Sequence, residues 1–537
     1  CNYTPWKKTA QKRNKQRKKP IQTPEKFFPD IIKFAMKSLL LVTVIAIFTS
    51  CSDDYLEVKP KGTELEENYY QNADEAFAGL IAIYDQVGGS SNGYINKFAV
   101  ALAASDDHYA GGGGPTDVNN LQVISNYTLD PATGPQGELW DRGFSGVFRA
   151  NVLISKLPDI PMDEELKSRF MAESKFLRAY FYFNLVRFFE NIPLFEEPIS
   201  ASEVYSVVQA DPEDVYTFII QDLTEAINDL PTTVPPETEG GRATEGAARA
   251  LLGKVYLQLE EYSNAAQQFN EVNGEPGGTS QYGYSLLPDF ADLWDFDNKQ
   301  NQESIFSVNH TGESNWDNWG CIACAEGNWI NTMCAPRNYN RVDTTAPNYY
   351  SGWSFFVITE QLENVMQGDP RYNYTIANVK ALEDDGLVTY EEGYQNTGFF
   401  IKKFIPLISD VNEGGNVFGN FDQNMYDIRL ADTYLMEAEA LVLSGGNLSR
   451  AQALLDAVRE RVGLPSVPVT MEAIKLERRL ELAGEGHRWF DLVRWGDAPE
   501  ALGFKGFVEG KNEILPIPLL ELENTLLKQN SEYGGTQ

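Results

Sequence analysis

The sequence predicts a mainly α-helical fold: a tetratricopeptide-like right-handed helical frame that carries a loop-rich insertion and a few short strands. Three observations carry that prediction. Residues 170–189 are apolar almost all round, with Phe170, Phe176, Leu177, Tyr180, Phe181, Phe183, Leu185, Phe188 and Phe189 distributed as in a buried helix. Leu252, Gly253, Tyr256, Tyr262, Ala265 and Phe269 fall at the spacing of a tetratricopeptide repeat, where small residues let two helices approach and large ones fill the gap. Residues 273–356 then lose helical periodicity and hold five of the 9 tryptophans, Trp294, Trp316, Trp319, Trp329 and Trp353.

With 537 residues and 42% hydrophobic content the chain can bury a large core. Net charge is −33, and residues 1–50 hold 11 Lys and Arg against 2 acids, which leaves 33 basic and 75 acidic residues from Cys51 onward, about −42. So acidic a body repels phosphate backbones, which excludes nucleic acid as a partner, and it disfavours heavily anionic ligands unless cations gather locally. Residues 1–35 read as a basic extension that is not part of the mature protein. Met36, Lys37, the apolar run SLLLVTVIAIFT and Phe-Thr-Ser-Cys ending at Cys51 match a signal peptide over 36–50 closed by a lipoprotein-type cysteine. The run is too short to span a bilayer comfortably, although an uncleaved signal anchor is the alternative. Acylated Cys51 would anchor the chain to a membrane, with residues 51–67 as its polar tether.

From Asn68, the spacing of Tyr69, Ala73, Ala76, Phe77, Leu80, Ile81 and Tyr84 predicts a first helix stopped by Gly88 and Gly89. A second covers Asn96 to Ala104 and runs into Ser105, Asp106, Asp107, His108 and Tyr109. Gly111 to Gly114 follow without the Lys and Ser/Thr of a phosphate-cradling loop, so they read as a flexible surface loop. Trp140, Phe144, Val147, Phe148 and Ile154 continue the helical period, and Val215 to Leu230 gives another helix. A weaker copy of the repeat lies in Leu435 to Arg461, FFIKKFIPL from Phe399 alternates as a short strand, and a helix is expected from Asp427.

Glu477 to Trp495, ERRLELAGEGHRWFDLVRW, predicts two helices meeting at a tight corner. Ile474, Leu476, Leu480, Leu482 and Ala483 form the apolar face of the first, Gly484 and Gly486 take positive φ, and Trp489, Leu492 and Val493 face one way on the second. Glu481, Glu485 and His487 lack an accompanying nucleophile or metal-ligand spacing, so a catalytic reading is set aside. Arg478, Arg479, Arg488 and nearby carboxylates are expected to form a partly buried ion-pair network, and Asp491 can pair with Arg494 three residues on.

That stretch resembles the signature near the C-terminus of the SusD/RagB family, surface lipoproteins that capture nutrients for a TonB-dependent outer-membrane transporter. NEILPIPLLELENTLLKQNSEYGG resembles the family's ending, and DIRLADTYLMEAEALVLSGG resembles a third family segment. The resemblance covers a helical region at 68–272 and a C-terminal family region at 427–537, and the loop-rich insertion at 273–426 between them has no match to the family. It implies an outer-membrane, cell-surface, lipid-anchored protein that captures a glycan and delivers it to a SusC-like transporter, on which it sits as a lid. Ser-Asp-Asp after Cys51 resembles the family's export signal, Asp106 and Asp107 resemble an acidic spot near the family's ligand site, and Asn151 resembles a structural position. Peptide binding within the same family and carbohydrate-active hydrolysis are the alternatives.

The insertion supplies the remaining candidates. Flat aromatic faces stack on sugar rings while amides and guanidinium groups hydrogen-bond hydroxyls, and Asn315, Trp316, Asp317, Asn318 and Trp319 offer that mixture within one short run. The ligand candidates are therefore Asp106, Asp107, His108, Tyr109, Asn315, Trp316, Asn318, Trp319, Trp329, Arg337 and Tyr339. No catalytic residue, cofactor or metal is expected. Cys321, Cys324 and Cys334 suggest one disulfide and one left-over thiol, with the pairing open. His310 could complete a zinc set with the three cysteines, and Asp289, Asp292, Asp295 and Asp297 could hold calcium, but neither group has conventional spacing.

Overall fold

The computed structural model describes residues 69–200 and 202–535. The signal segment 36–50, the acylation expected at Cys51 and the tether 51–67 lie outside the described residues. Helix α1, Ala73–Gly88, begins where the Asn72 side chain accepts a hydrogen bond from the Glu75 N–H and turns Ala76, Leu80, Ile83 and Val87 inward. Phe77 and Ile81, expected on its buried face, are 40% and 45% exposed. The stripe is rotated by one position, and Phe77 instead lies on the surface against Phe170, 5.8 Å between ring centres.

Helix α2 (Lys97–Ala104) is buried along its whole length. The frame continues through α3 (Asn119–Ser125), α4 (Gln136–Lys156), α5 (Glu164–Phe189), α6 (Pro212–Ile227), α7 (Glu245–Gln258) and α8 (Tyr262–Asn273). After the insertion, which holds α9 (Trp329–Cys334), come α10 (Leu430–Leu443), α11 (Leu448–Arg461), α12 (Met471–Leu482) and α13 (Arg488–Trp495). Each of α4 to α8 packs on its neighbour in sequence, α8 packs directly on α10, and α10 packs on α11 and α12. The helical stack thus closes across the insertion. In the repeat pair α7–α8, a Cβ placed on Gly253 would lie 2.6 Å from the Phe269 ring, so only glycine permits the approach. Gly253→Val should lower the unfolding free energy by about 1–3 kcal/mol in a denaturant titration, and an unchanged midpoint would show that the helices can separate freely.

The insertion is mostly irregular and is tied down by three two-stranded antiparallel pairs. These are β1 (Ser304–Val308) with β6 (Met425–Arg429), β2 (Asn340–Arg341) with β4 (Val388–Thr389), and β3 (Ile376–Asn378) with β5 (Phe399–Ile401). The helix expected from Asp427 begins at Leu430 instead, because Asp427 belongs to β6, whose five residues are all buried. Its carboxylate is clamped by Lys97 and by the Tyr180 hydroxyl at 2.6 Å. Burial alone would raise its pKa, but Lys97 and Lys254 outweigh that and hold it at about 2. The stability this adds is present above the unfolded value near 4 and lost as pH falls toward 2, about 2 kcal/mol in all. Asp427→Asn should flatten that part of the acid-unfolding curve, and an unaltered curve would remove Asp427 from the account.

The corner forms as expected, with Gly484 at φ 83° and Gly486 at φ 79°. Leu476 alone departs from its expected face, at 48% exposed. The ion-pair network is larger and more deeply buried than the local sequence implies. Arg478 binds Asp432 and Asp491 at 2.8 Å each, and Asp491 reaches Arg494 at 3.2 Å. Beneath them Arg429 spans Glu303 at 2.9 Å, Glu481 at 2.7 Å and Glu485 at 2.8 Å. Arg371 joins Asp369, Glu477 and Glu481, Arg461 joins Glu303 and Glu481, and Lys403 joins Glu485. Burial would raise the Glu481 pKa, yet Arg461, Arg429 and Arg371 hold it well below the usual carboxylate range.

Candidate functional site

The insertion folds its aromatic residues onto one centre, Trp329. The Asn328 side chain caps α9 through the Ile330 N–H, while the Asn328 N–H reaches the Phe421 carbonyl at 2.7 Å, and the first residue of the helix, Trp329, is fully buried. Around it stand Tyr94 at 5.1 Å, Trp316 at 5.7 Å, Trp353 at 5.9 Å and Trp319 at 6.0 Å between ring centres. Phe418 completes the ring, 5.4 Å from Trp353 and tilted 35° to it, and 6.1 Å from Trp319. Trp329 and Trp316 form the buried floor; Tyr94, Trp353 and Phe418 are half-buried, and Trp319 is 44% exposed. The result is a shelf of aromatic rings set edge-on or tilted against one another and partly exposed to solvent.

Two short-range devices fix the shelf. Cys321 and Cys324 form a disulfide, and the Trp316 indole N–H donates to the Cys321 carbonyl at 2.8 Å, so the bridge holds the run that carries Trp319. Gly419 lies where a Cβ would come within 3.1 Å of both Trp316 and Ala325, so glycine lets the Phe418 loop close on the indoles.

Beside Trp353 the candidate Arg337 meets Asp117, which the sequence did not single out. The Arg337 guanidinium donates to the Trp353 carbonyl at 3.0 Å and stands 3.7 Å from the Asp117 carboxylate. Asp117 also accepts from the Gly113 N–H at 2.7 Å. The glycine run, expected to be a flexible surface loop, is docked. Gly111, at φ 67°, sits where a Cβ would lie 2.3 Å from the Ser354 carbonyl, and the Gly112 N–H bonds that same carbonyl at 2.8 Å. Burial, and then the Asp117 charge, raise the Tyr94 phenol pKa.

Of the residues expected to meet ligand, Trp316, Trp319, Trp329 and Arg337 are therefore brought together. Asn315 and Asn318 are exposed on the same run, where Asn318 accepts from the Gly320 N–H at 3.0 Å. Asp106, Asp107 and His108 are corrected: they are 2%, 1% and 1% exposed and belong to the corner. Arg488 forms a fork on Asp106 at 2.8 and 2.9 Å, and Arg479 binds Asp107 at 2.7 Å. His108 Nδ1 bonds the Phe356 carbonyl, and burial pushes its pKa down to about 3. Lys505 donates to the Ala103, Ser105 and His108 carbonyls at 2.7, 2.8 and 2.9 Å and seals the end of α2. Tyr109 is half-buried against the core, its N–H on the Val357 carbonyl. Tyr339 is also corrected, because it is 7% exposed and its hydroxyl donates to the Pro347 carbonyl at 2.7 Å.

The zinc set is excluded because two of its thiols are joined in the disulfide, while Cys334 is a buried free thiol whose pKa burial drives upward. His310 is buried with its ring nitrogens on Ser91 and the Glu326 carbonyl. Among the described residues no three His, Cys, Asp or Glu side chains gather to hold a metal ion. The Asp289 and Asp295 side chains accept from nearby backbone N–H groups.

A partly open shelf of indole and phenol rings with a charge pair at its rim, mounted on a helical-repeat frame, defines a ligand-binding protein. The chain belongs to the SusD family, whose pattern matches residues 262–532; residues 54–257 match the family described as "Starch-binding associating with outer membrane". Its fold is similar to that of a solved "Laminarin binding SusD-like protein", with 53% identity, a TM-score of 0.83, and coverage of 86% of this chain and 99% of that one. It is also similar to surface glycan-binding protein A from Bacteroides thetaiotaomicron in complex with laminarihexaose, with 26% identity, a TM-score of 0.76 and coverage of 86% and 99%. A SusD-like protein of Bacteroides ovatus is 26% identical over 488 residues, 86% of this chain and 83% of that protein.

Proposed function

We propose that this protein captures a neutral glycan of the laminarin type at the cell surface, using the shelf around Trp329, and binds it without cleaving it. The observation that carries the reading is the group of partly open rings Tyr94, Trp319, Trp353 and Phe418, standing on a buried indole floor. Their faces stack on the C–H faces of sugar rings, and Arg337, Asp117 and the exposed amides of Asn315 and Asn318 hydrogen-bond hydroxyls. A preformed shelf also lowers the ordering cost of binding. The net charge of −33 is indifferent to a neutral polysaccharide and unfavourable to a polyanionic one. Residence at the outer membrane through an acylated Cys51, and delivery to a SusC-like TonB-dependent transporter, complete the proposal and rest on family membership.

The disulfide gives an early test of the site. A bridge closing so short a loop is worth only about 2 kcal/mol of chain entropy, so its main effect is on the loop it holds. In Cys321→Ser/Cys324→Ser the affinity for laminarin should fall about tenfold while the thermal midpoint moves by a few degrees, read by calorimetry and melting. Unchanged affinity would detach the Trp319 run from the site. Titration of the protein with laminarin, an anionic polysaccharide and a mixed peptide pool tests ligand class, and binding confined to peptides would overturn the glycan assignment.

A further inference from the structure

The segment carrying Tyr350 has two faces. Its N–H bonds the Pro406 carbonyl at 2.8 Å, the Ile408 N–H bonds the Asn348 carbonyl at 2.9 Å, and Tyr349 pairs with Leu407 in an antiparallel bridge. Consecutive side chains of such an extended ribbon point to opposite sides. Tyr350 turns toward the shelf, 5.2 Å from Phe421 and 6.3 Å from Phe418. Tyr349 turns the other way and lines a separate open cavity of about 580 Å³, whose other walls include Trp294, Tyr374, Ser409, Asp410 and Asp422.

We infer that this cavity is a second glycan-binding site, back to back with the first across one ribbon and selective for neutral saccharides. The inference rests on the glycan reading above. Tyr349 is 6% exposed, and its hydroxyl makes no hydrogen bond among the described residues and is not sealed from solvent, so on the cavity wall it is available to a ligand hydroxyl. Tyr374, 39% exposed, offers a second unpartnered hydroxyl and an open ring, 6.1 Å from Phe290. Asp410 supplies a carboxylate partly withdrawn from water; burial, and then the nearby Asp422 and Asp295 charges, raise its pKa. Carboxylates accept from sugar hydroxyls but repel anionic sugars, and the cations that line the cavity among the described residues, Lys402 and Lys403, already have partners. Lys402 donates to the Asn373 carbonyl at 2.6 Å, and Lys403 is buried on Glu485 at 2.7 Å. Aromatic walls, hydroxyl donors and carboxylate acceptors in one cleft match a polyhydroxylated neutral ligand. Two sites on one chain also give a long polysaccharide an avidity that a short one lacks.

The test is a titration of the purified full chain with laminarihexaose carried to high concentration, beside a titration with laminarin. Two binding events per chain are expected, the weaker one at the second cavity. Ser409→Trp, on an exposed loop, fills that cavity, and Tyr374→Ala removes one wall. Either should abolish the weaker event, leave the tighter one within twofold, and reduce affinity for laminarin at least tenfold. Trp319→Ala should do the reverse, weakening the tighter event and sparing the other. One event per chain in the wild type, or a second event that survives Ser409→Trp, overturns the second site and leaves the shelf intact. Absence of both events overturns both readings.

Discussion

Replacing Arg429 by Ala should destabilise the protein by about 3–5 kcal/mol, the largest effect of any single change considered. The Arg429 guanidinium is fully buried and donates to Glu303, Glu481 and Glu485, and also to the Glu481 carbonyl at 3.0 Å. Removing it leaves three carboxylates, each 2% exposed or less, with a cation missing from their midst. Arg461, Arg371 and Lys403 offset part of the loss, which is why unfolding at room temperature need not be complete. The readout is the denaturant midpoint together with the expressed yield. Arg429→Lys should recover little, since one ammonium cannot span three carboxylates placed for a planar fork. A loss below 1 kcal/mol would mean that the network is not what joins β6 to the corner.

Trp353→Ala should weaken glycan binding by about 2 kcal/mol, roughly thirtyfold, with far less effect on stability. The Trp353 ring touches Trp329, Tyr94 and Phe418, so its loss opens the middle of the shelf, while the backbone carbonyl that holds Arg337 remains. Trp319→Ala, at the exposed end, should cost less, and the double variant should fall below detection. Neighbouring rings share contacts, so the two losses are expected to differ from a simple sum. Equal affinity in Trp353→Ala and the wild type would move the ligand off the shelf.

The helical frame was legible because its signals are local. Gly253 and Phe269 lie on adjacent helices of one pair, and the corner at Gly484 and Gly486 shows its turn and its charges within one short stretch. Burial of Asp106 and Asp107 was not legible. Their partners Arg488 and Arg479 lie 382 and 372 residues away in sequence, and without them two adjacent acids before a glycine run look solvent-facing. The glycines misled for a related reason, since their freedom serves a close approach to Ser354 rather than flexibility. The tryptophan-rich run did point to the shelf, and Arg337 joined it. Tyr94, Asp117 and Phe418 escaped because each comes from a different non-periodic segment. The closest available hints were Tyr94 in the turn just before a helix and Phe418 within the glycine-rich run from Gly414 to Gly419. Tyr339 shows the converse, an insertion aromatic that anchors a loop instead of meeting solvent.

The most direct measurement is calorimetric titration of the purified full chain with laminarihexaose, with the sugar recovered and sized afterwards. Saturable binding, lost in Trp319→Ala/Trp353→Ala, with the hexasaccharide recovered intact, is the result predicted. Binding undiminished in that double variant would contradict the site. No binding at all would contradict the ligand, and shorter oligosaccharides in the recovered sugar would contradict capture without cleavage.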